Sequence, residues 1–277
     1  MKYFFVLLFT LITIGLFSQK PGTTKVPAVK KELTIGYQYE CDAPTLNEVR
    51  LLNVYYPSGY DTSGISYPVI YVLDGSENED FVHIVGLVQF LTMCQLMPES
   101  IVVGISNVDR KRDFTYPTTN EQDKKDFPTT GGSENFIAFL KQEVIPYIEA
   151  LFRTTEDRTI IGQSLGGLLA TEIFLKHTDM FNQYIIVSPS LWWDDESLLA
   201  LENPSITKQT KVFVAVGREG KIMQRDAKKL TKKIKGISSN SLHVDFSFLP
   251  KENHATVLHL AAYQGLKSLY KSTEIKK

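Results

Sequence analysis

Apolar residues along this chain fall into two kinds of pattern. Short continuous runs occur at Pro68 to Leu73 (PVIYVL), Ser100 to Ile105 (SIVVGI), Thr159 to Gly162, Tyr184 to Val187 and Val212 to Val216. Runs this short and apolar on both faces predict buried strands. Leu33 to Tyr39 and Val49 to Tyr56 alternate instead, as antiparallel strands with one wet face do, and Leu242 to Leu249 completes the set. Between these runs the apolar spacing becomes helical. It does so at Phe81 to Leu96, Glu134 to Phe152, Gly167 to Lys176, Met223 to Ile234 and Ala255 to Tyr270. Apolar strands alternating with helices predict a mostly parallel α/β sheet of about eight strands, covered by helices on both faces. The first two strands lack an intervening helix and predict an antiparallel edge. There is no internal repeat, and residues 32–277 read as one domain.

The N-terminus departs from this pattern. Lys2 precedes an almost unbroken apolar run from Phe4 to Phe17, followed by Ser18-Gln19. Residues 1–18 therefore read as a signal peptide, with an uncleaved anchor as the alternative. Residues 19–31 (QKPGTTKVPAVKK) read as a flexible spacer. Export predicts a periplasmic or secreted chain. Two cysteines, Cys41 and Cys94, could pair in an exported chain, but two free thiols are the favoured reading, with Cys94 as a small hydrophobe in a helix. The net charge of -1 gives no electrostatic basis for binding nucleic acid or an anionic membrane. Monomer and homodimer both remain open. No His, Cys or carboxylate cluster has metal-ligand spacing, so neither metal nor cofactor is expected.

The candidate chemistry centres on Gly162-Gln163-Ser164-Leu165-Gly166. A G-x-S-x-G sequence between a strand and a helix is the nucleophile elbow of the α/β-hydrolase fold. A serine hydroxyl needs a base to take its proton and a group to orient that base. In this fold they follow in the order serine, acid, histidine. Of the five histidines, His254 alone sits in a loop between the last strand and the last helix. Glu219, after the next-to-last strand, is the first candidate acid. Asp226, Asp194 and Asp195 are alternatives, as is a pair without an acid. Two backbone N–H groups would form the oxyanion hole: those of Leu165 and of Gly75 in Asp74-Gly75-Ser76. The segment Asn107 to Gly132 is long, polar and leaves the C-terminal end of a strand, where such sheets place ligands. Arg110 and Arg112 within it could fork onto an anionic or catechol-bearing substrate, although pairing of Arg112 with Asp113 would serve structure instead. Trp192 and Trp193 read either as a flat wall for a ring or as core packing.

These motifs resemble the esterase D-like, or "putative esterase", family of α/β-hydrolases. They look most like its branch of periplasmic trilactone siderophore esterases. The resemblance spans residues 33–270. It rests on VLDG (72–75), RKRDFT (110–115), GGSENF (131–136), GQSLGG (162–167), SPSLWW (188–193), VGREG (216–220) and NHATV (253–257). Feruloyl esterases, S-formylglutathione hydrolases and mycolyltransferases are related, so the fold does not name a substrate. The resemblance implies an exported serine esterase acting on a small ester through Ser164 and His254, with an acid near Glu219. An acyltransferase built on the same groups, or an inactive binding module, would be the alternative.

Overall fold

The computed structural model describes residues 30–271. The expected signal peptide and all but the end of the expected spacer lie outside them. Eight strands form one sheet: β1 (Tyr37–Ala43), β2 (Glu48–Tyr55), β3 (Tyr67–Val72), β4 (Ile101–Ile105), β5 (Thr154–Gln163), β6 (Gln183–Val187), β7 (Thr210–Gly217) and β8 (Leu242–Leu249). Their order is β1-β2-β4-β3-β5-β6-β7-β8. β1 pairs antiparallel with β2, and β2 with β4. Every later pairing is parallel. β1 starts and ends later than the alternation predicts, pairing from Tyr37 opposite Val54 to Ala43 opposite Glu48 across the Pro44–Asn47 turn.

The helices are α1 (Tyr60–Ser63), α2 (Phe81–Met93), α3 (Arg110–Asp113), α4 (Glu121–Asp126), α5 (Ser133–Phe139), α6 (Ile145–Leu151), α7 (Leu165–Lys176), α8 (Ser197–Ala200), α9 (Lys221–Lys235) and α10 (Val257–Tyr270). The helix expected over Glu134 to Phe152 is interrupted by a π turn, Leu140–Val144. Pro146 explains the break, since it lacks an N–H and its ring clashes with the preceding turn. From Thr34 on, the described chain packs as one unit. Alternate residues of β3 face opposite layers. Val69 and Tyr71 belong to the core layer that includes α5, α7 and α9, whereas Ile70 and Val72 belong to the layer that includes α2 and α10. This two-sided burial is why the central strands read as continuous apolar runs.

The segment from Asn107 to Gly132 is built rather than loose. Asp109 caps α3 by accepting from the Arg112 N–H at 3.1 Å. Asn120 caps α4 through the N–H groups of Gln122 and Asp123. Phe114 and Thr115 are fully buried. Both cysteines are free, and it is Cys41 rather than Cys94 that is buried. Among the described residues, no helix is long and apolar enough to cross a membrane, and no group of three or more His, Cys, Asp or Glu is placed to hold a metal ion.

Candidate active site

Ser164 stands between the end of β5 and the start of α7, with φ 59° and ψ −119°. A non-glycine residue at such angles is strained and persists only where its surroundings impose it. Here the Ser164 N–H donates to the Val187 carbonyl at 3.1 Å, and its own carbonyl accepts from Leu168 at 2.9 Å and from Ser190 at 3.0 Å. Gly162 makes the turn possible, because a Cβ there would stand 2.3 Å from the Gly166 oxygen. The Ser164 hydroxyl lies 3.3 Å from Ser190 Oγ.

His254 sits in the loop between β8 and α10. That loop is pinned by Asn253, whose side chain accepts from the Ala255 N–H at 2.9 Å and whose own N–H donates to Thr256 Oγ1 at 3.1 Å. His254 Nδ1 is 2.5 Å from Glu219 Oε2. A carboxylate can only accept, so Nδ1 carries a proton, and in the neutral imidazole Nε2 presents a lone pair. Nε2 has no hydrogen-bond partner among the described residues. The His254 carbonyl accepts from the side chain of Gln163, the residue before Ser164. The loop is thereby tied to the elbow.

Glu219 is held from the other side. Its Oε1 accepts from Ser188 Oγ at 2.5 Å and from the Gly217 N–H at 2.8 Å. Its side chain is 2% exposed against 48% for His254, so water cannot compete for the carboxylate. Burial alone would raise the Glu219 pKa. Hydrogen bonds from His254, Ser188 and Gly217 outweigh it and hold the carboxyl below its ordinary value. None of the alternative acids pairs with His254. Asp226 lies on α9 beside Arg225, while Asp194 and Asp195 accept from Thr118, Thr119 and Asn120.

The two expected N–H donors differ. Leu165 is the first residue of α7, so its N–H has no intrahelical partner. Gly75 does not offer its N–H, which donates to the Ile105 carbonyl at 2.9 Å. Glycine is required there for another reason: a Cβ would stand 2.3 Å from Gly104 Cα. The next residue, Ser76, has an N–H with no partner among the described residues. This loop does abut the elbow, since Asp74 Oδ2 lies 3.4 Å from where a Gly166 Cβ would stand.

Arg110 also reaches the elbow. It forks onto Asp74, with Nε 2.6 Å from Oδ1 and Nη2 2.9 Å from Oδ2. The same Nη2 donates to the Gln163 carbonyl at 3.3 Å. Burial pushes the Asp74 carboxyl up, against the pull of Arg110 and Asn107. Arg112 does not point to a ligand role. Its guanidinium binds Asp113 and Glu48, both at 2.7 Å, in a network completed by the buried Arg50. Trp193 is likewise core: it is fully buried and donates through Nε1 to the Tyr116 carbonyl at 2.9 Å. Trp192 is only partly buried and packs 6.0 Å from Phe127. Sequence reasoning missed Asp74, Ser188 and Ser190 as site residues. All three lie inside motifs it had singled out, VLDG and SPSLWW, and their hydrogen bonds to distant segments leave no local periodic signal.

A mostly parallel eight-stranded sheet with a strained serine at a strand-to-helix turn defines an α/β-hydrolase fold. The family model described as "Putative esterase" matches residues 43–261, and the chain belongs to that family. It is similar to the ferri-bacillibactin esterase BesA of Bacillus subtilis, with 29% identity over 228 residues, covering 73% of this chain and 78% of that one. Among solved structures it is similar to an IroE-like serine hydrolase from Shewanella oneidensis. That match has a TM-score of 0.76 and 27% identity, covering 85% of this chain and 80% of the other. It is also similar to the BES protein of Bacillus cereus, with a TM-score of 0.74 and 26% identity, over 88% and 98% of the two chains. Family membership supports hydrolysis of esters as the activity.

Proposed function

We propose that this chain is an exported serine hydrolase of carboxylic esters that works through an acyl-enzyme. The observation that carries the reading is the Glu219–His254 pair at 2.5 Å, tied through Gln163 to the strained Ser164. In the reaction, the Ser164 proton passes to His254 Nε2 as Oγ bonds to the ester carbonyl carbon. Charge builds on the carbonyl oxygen, where the N–H groups of Leu165 and Ser76 would meet it. The alcohol leaves with the proton from His254, and water then releases the acid by the same route. Glu219 keeps the imidazole oriented and stabilises its charged form.

Two neighbours of the site support a substrate class. Arg110 Nη1 has no partner among the described residues, and Trp192 offers an aromatic face. Both suit a catechol-bearing lactone, and the Bacillus subtilis relative is by its name an esterase of ferri-bacillibactin. The apolar run at Phe4 to Phe17 supports export to the periplasm or beyond. Ser164→Ala should abolish hydrolysis of p-nitrophenyl acetate and of a catecholate trilactone while thermal unfolding stays nearly unchanged. Retained turnover in that variant would overturn the assignment. Turnover of the acetate without the lactone would overturn the substrate class alone.

A further inference from the structure

Ser190 is buried, with 2% of its surface exposed. A buried hydroxyl is costly unless it finds a hydrogen-bond partner. Among the described residues, the only partner of Ser190 Oγ is Ser164 Oγ, at 3.3 Å. Its backbone is held in place: the Ser190 N–H donates to the Ser164 carbonyl at 3.0 Å, and the Leu191 N–H closes a tight turn onto Pro189 at 2.8 Å. The same tripeptide, Ser188-Pro189-Ser190, uses its first hydroxyl to hold Glu219. One end of β6 thus touches both the candidate acid and the candidate nucleophile. Meanwhile His254 Nε2, the acceptor that the Ser164 proton needs, has no described partner.

We infer that Ser190 is a positioning residue that holds the Ser164 hydroxyl in a resting orientation, away from His254. This rests on the reading of Ser164 as the nucleophile. Either hydroxyl could be the donor in this contact; the donor is here assigned as Ser164, whose one proton then serves one acceptor at a time. Attack therefore requires the hydroxyl to turn from Ser190 to His254 Nε2. Once there, Oγ bonds to the acyl carbon, the carbonyl π pair moves to oxygen, and the proton goes to Nε2. The resting contact acts as a brake on acylation and leaves substrate binding alone.

The test uses a fluorophosphonate, in which Oγ–P forms, P–F breaks, fluoride leaves with the bonding pair and the Ser164 proton passes to His254. Inactivation of the wild-type protein should label Ser164. Ser190→Ala should raise kinact about two- to tenfold, the range that the net worth of one neutral hydrogen bond allows, with KI unchanged. Ser190→Cys, which fills the same space with a weakly hydrogen-bonding thiol, should move kinact the same way and keeps the test open if the alanine variant fails to fold. Unchanged or lower kinact in the folded variants, or a rise in KI with a fall in Tm, overturns the inference. Absence of label on Ser164 in the wild type would instead defeat the nucleophile reading.

Discussion

At the residue scale, the proposed site turns on one carboxylate with three partners. Glu219 receives hydrogen bonds from His254, Ser188 and the Gly217 N–H, and these hold its pKa below the ordinary value. A carboxyl depressed in the folded state contributes stability above its unfolded pKa, and that contribution is lost as pH falls through the folded value. Wild type should therefore lose stability on acidification below about pH 4.3, the usual glutamate value. Glu219→Gln should be flatter through that window when Tm is followed against pH. The amide also cannot compensate a charged imidazole, so kcat should drop on the order of 10³–10⁴-fold. Equal acid sensitivity in both proteins would contradict the role given to these hydrogen bonds. Activity at wild-type level in Glu219→Gln would leave the histidine working without an acid.

At the element scale, the segment from Asn107 to Gly132 shows what a sequence conveys and what it withholds. Its length and polarity marked it out, but not its order. That order comes from partners far along the chain: Asp113 binds the fully buried Arg50 of β2 at 2.6 Å, and Arg112 binds Glu48. Arg50 also stacks over Phe136, 5.4 Å from its ring centre. Asp113→Ala would leave that arginine buried without its full complement of charge. The expected cost is about 3–5 kcal/mol, read from chemical denaturation, and Arg110 should lose its anchorage beside the elbow. A change below 1 kcal/mol would mean that the segment is held by packing alone. The strands, the elbow and the order of the candidate groups were legible because they rest on local periodicity and on glycine at a fixed offset. Gly75 was misread as a donor because the bond that occupies its N–H comes from β4, thirty residues on. Trp193 was left open between ring wall and core for the same reason, since its partner Tyr116 lies far along the chain, whereas the pairing of Arg112 with the adjacent Asp113 was legible.

At the scale of the whole molecule, the parallel sheet brings three distant segments to one edge. Residues 164, 219 and 254 follow β5, β7 and β8, whose C-terminal ends point the same way. Two helical layers bury the sheet, so the loops at that edge are free to vary in chemistry while the framework stays fixed. The central claim is that Ser164 becomes covalently acylated during ester hydrolysis. The most direct measurement is peptide mass spectrometry of the protein quenched in acid during turnover of p-nitrophenyl acetate, compared with Ser164→Ala. An acetyl group on Ser164 in the wild type, absent from the inactive variant, is the predicted result. Turnover with no acetyl on Ser164, or turnover that persists in Ser164→Ala, would contradict it.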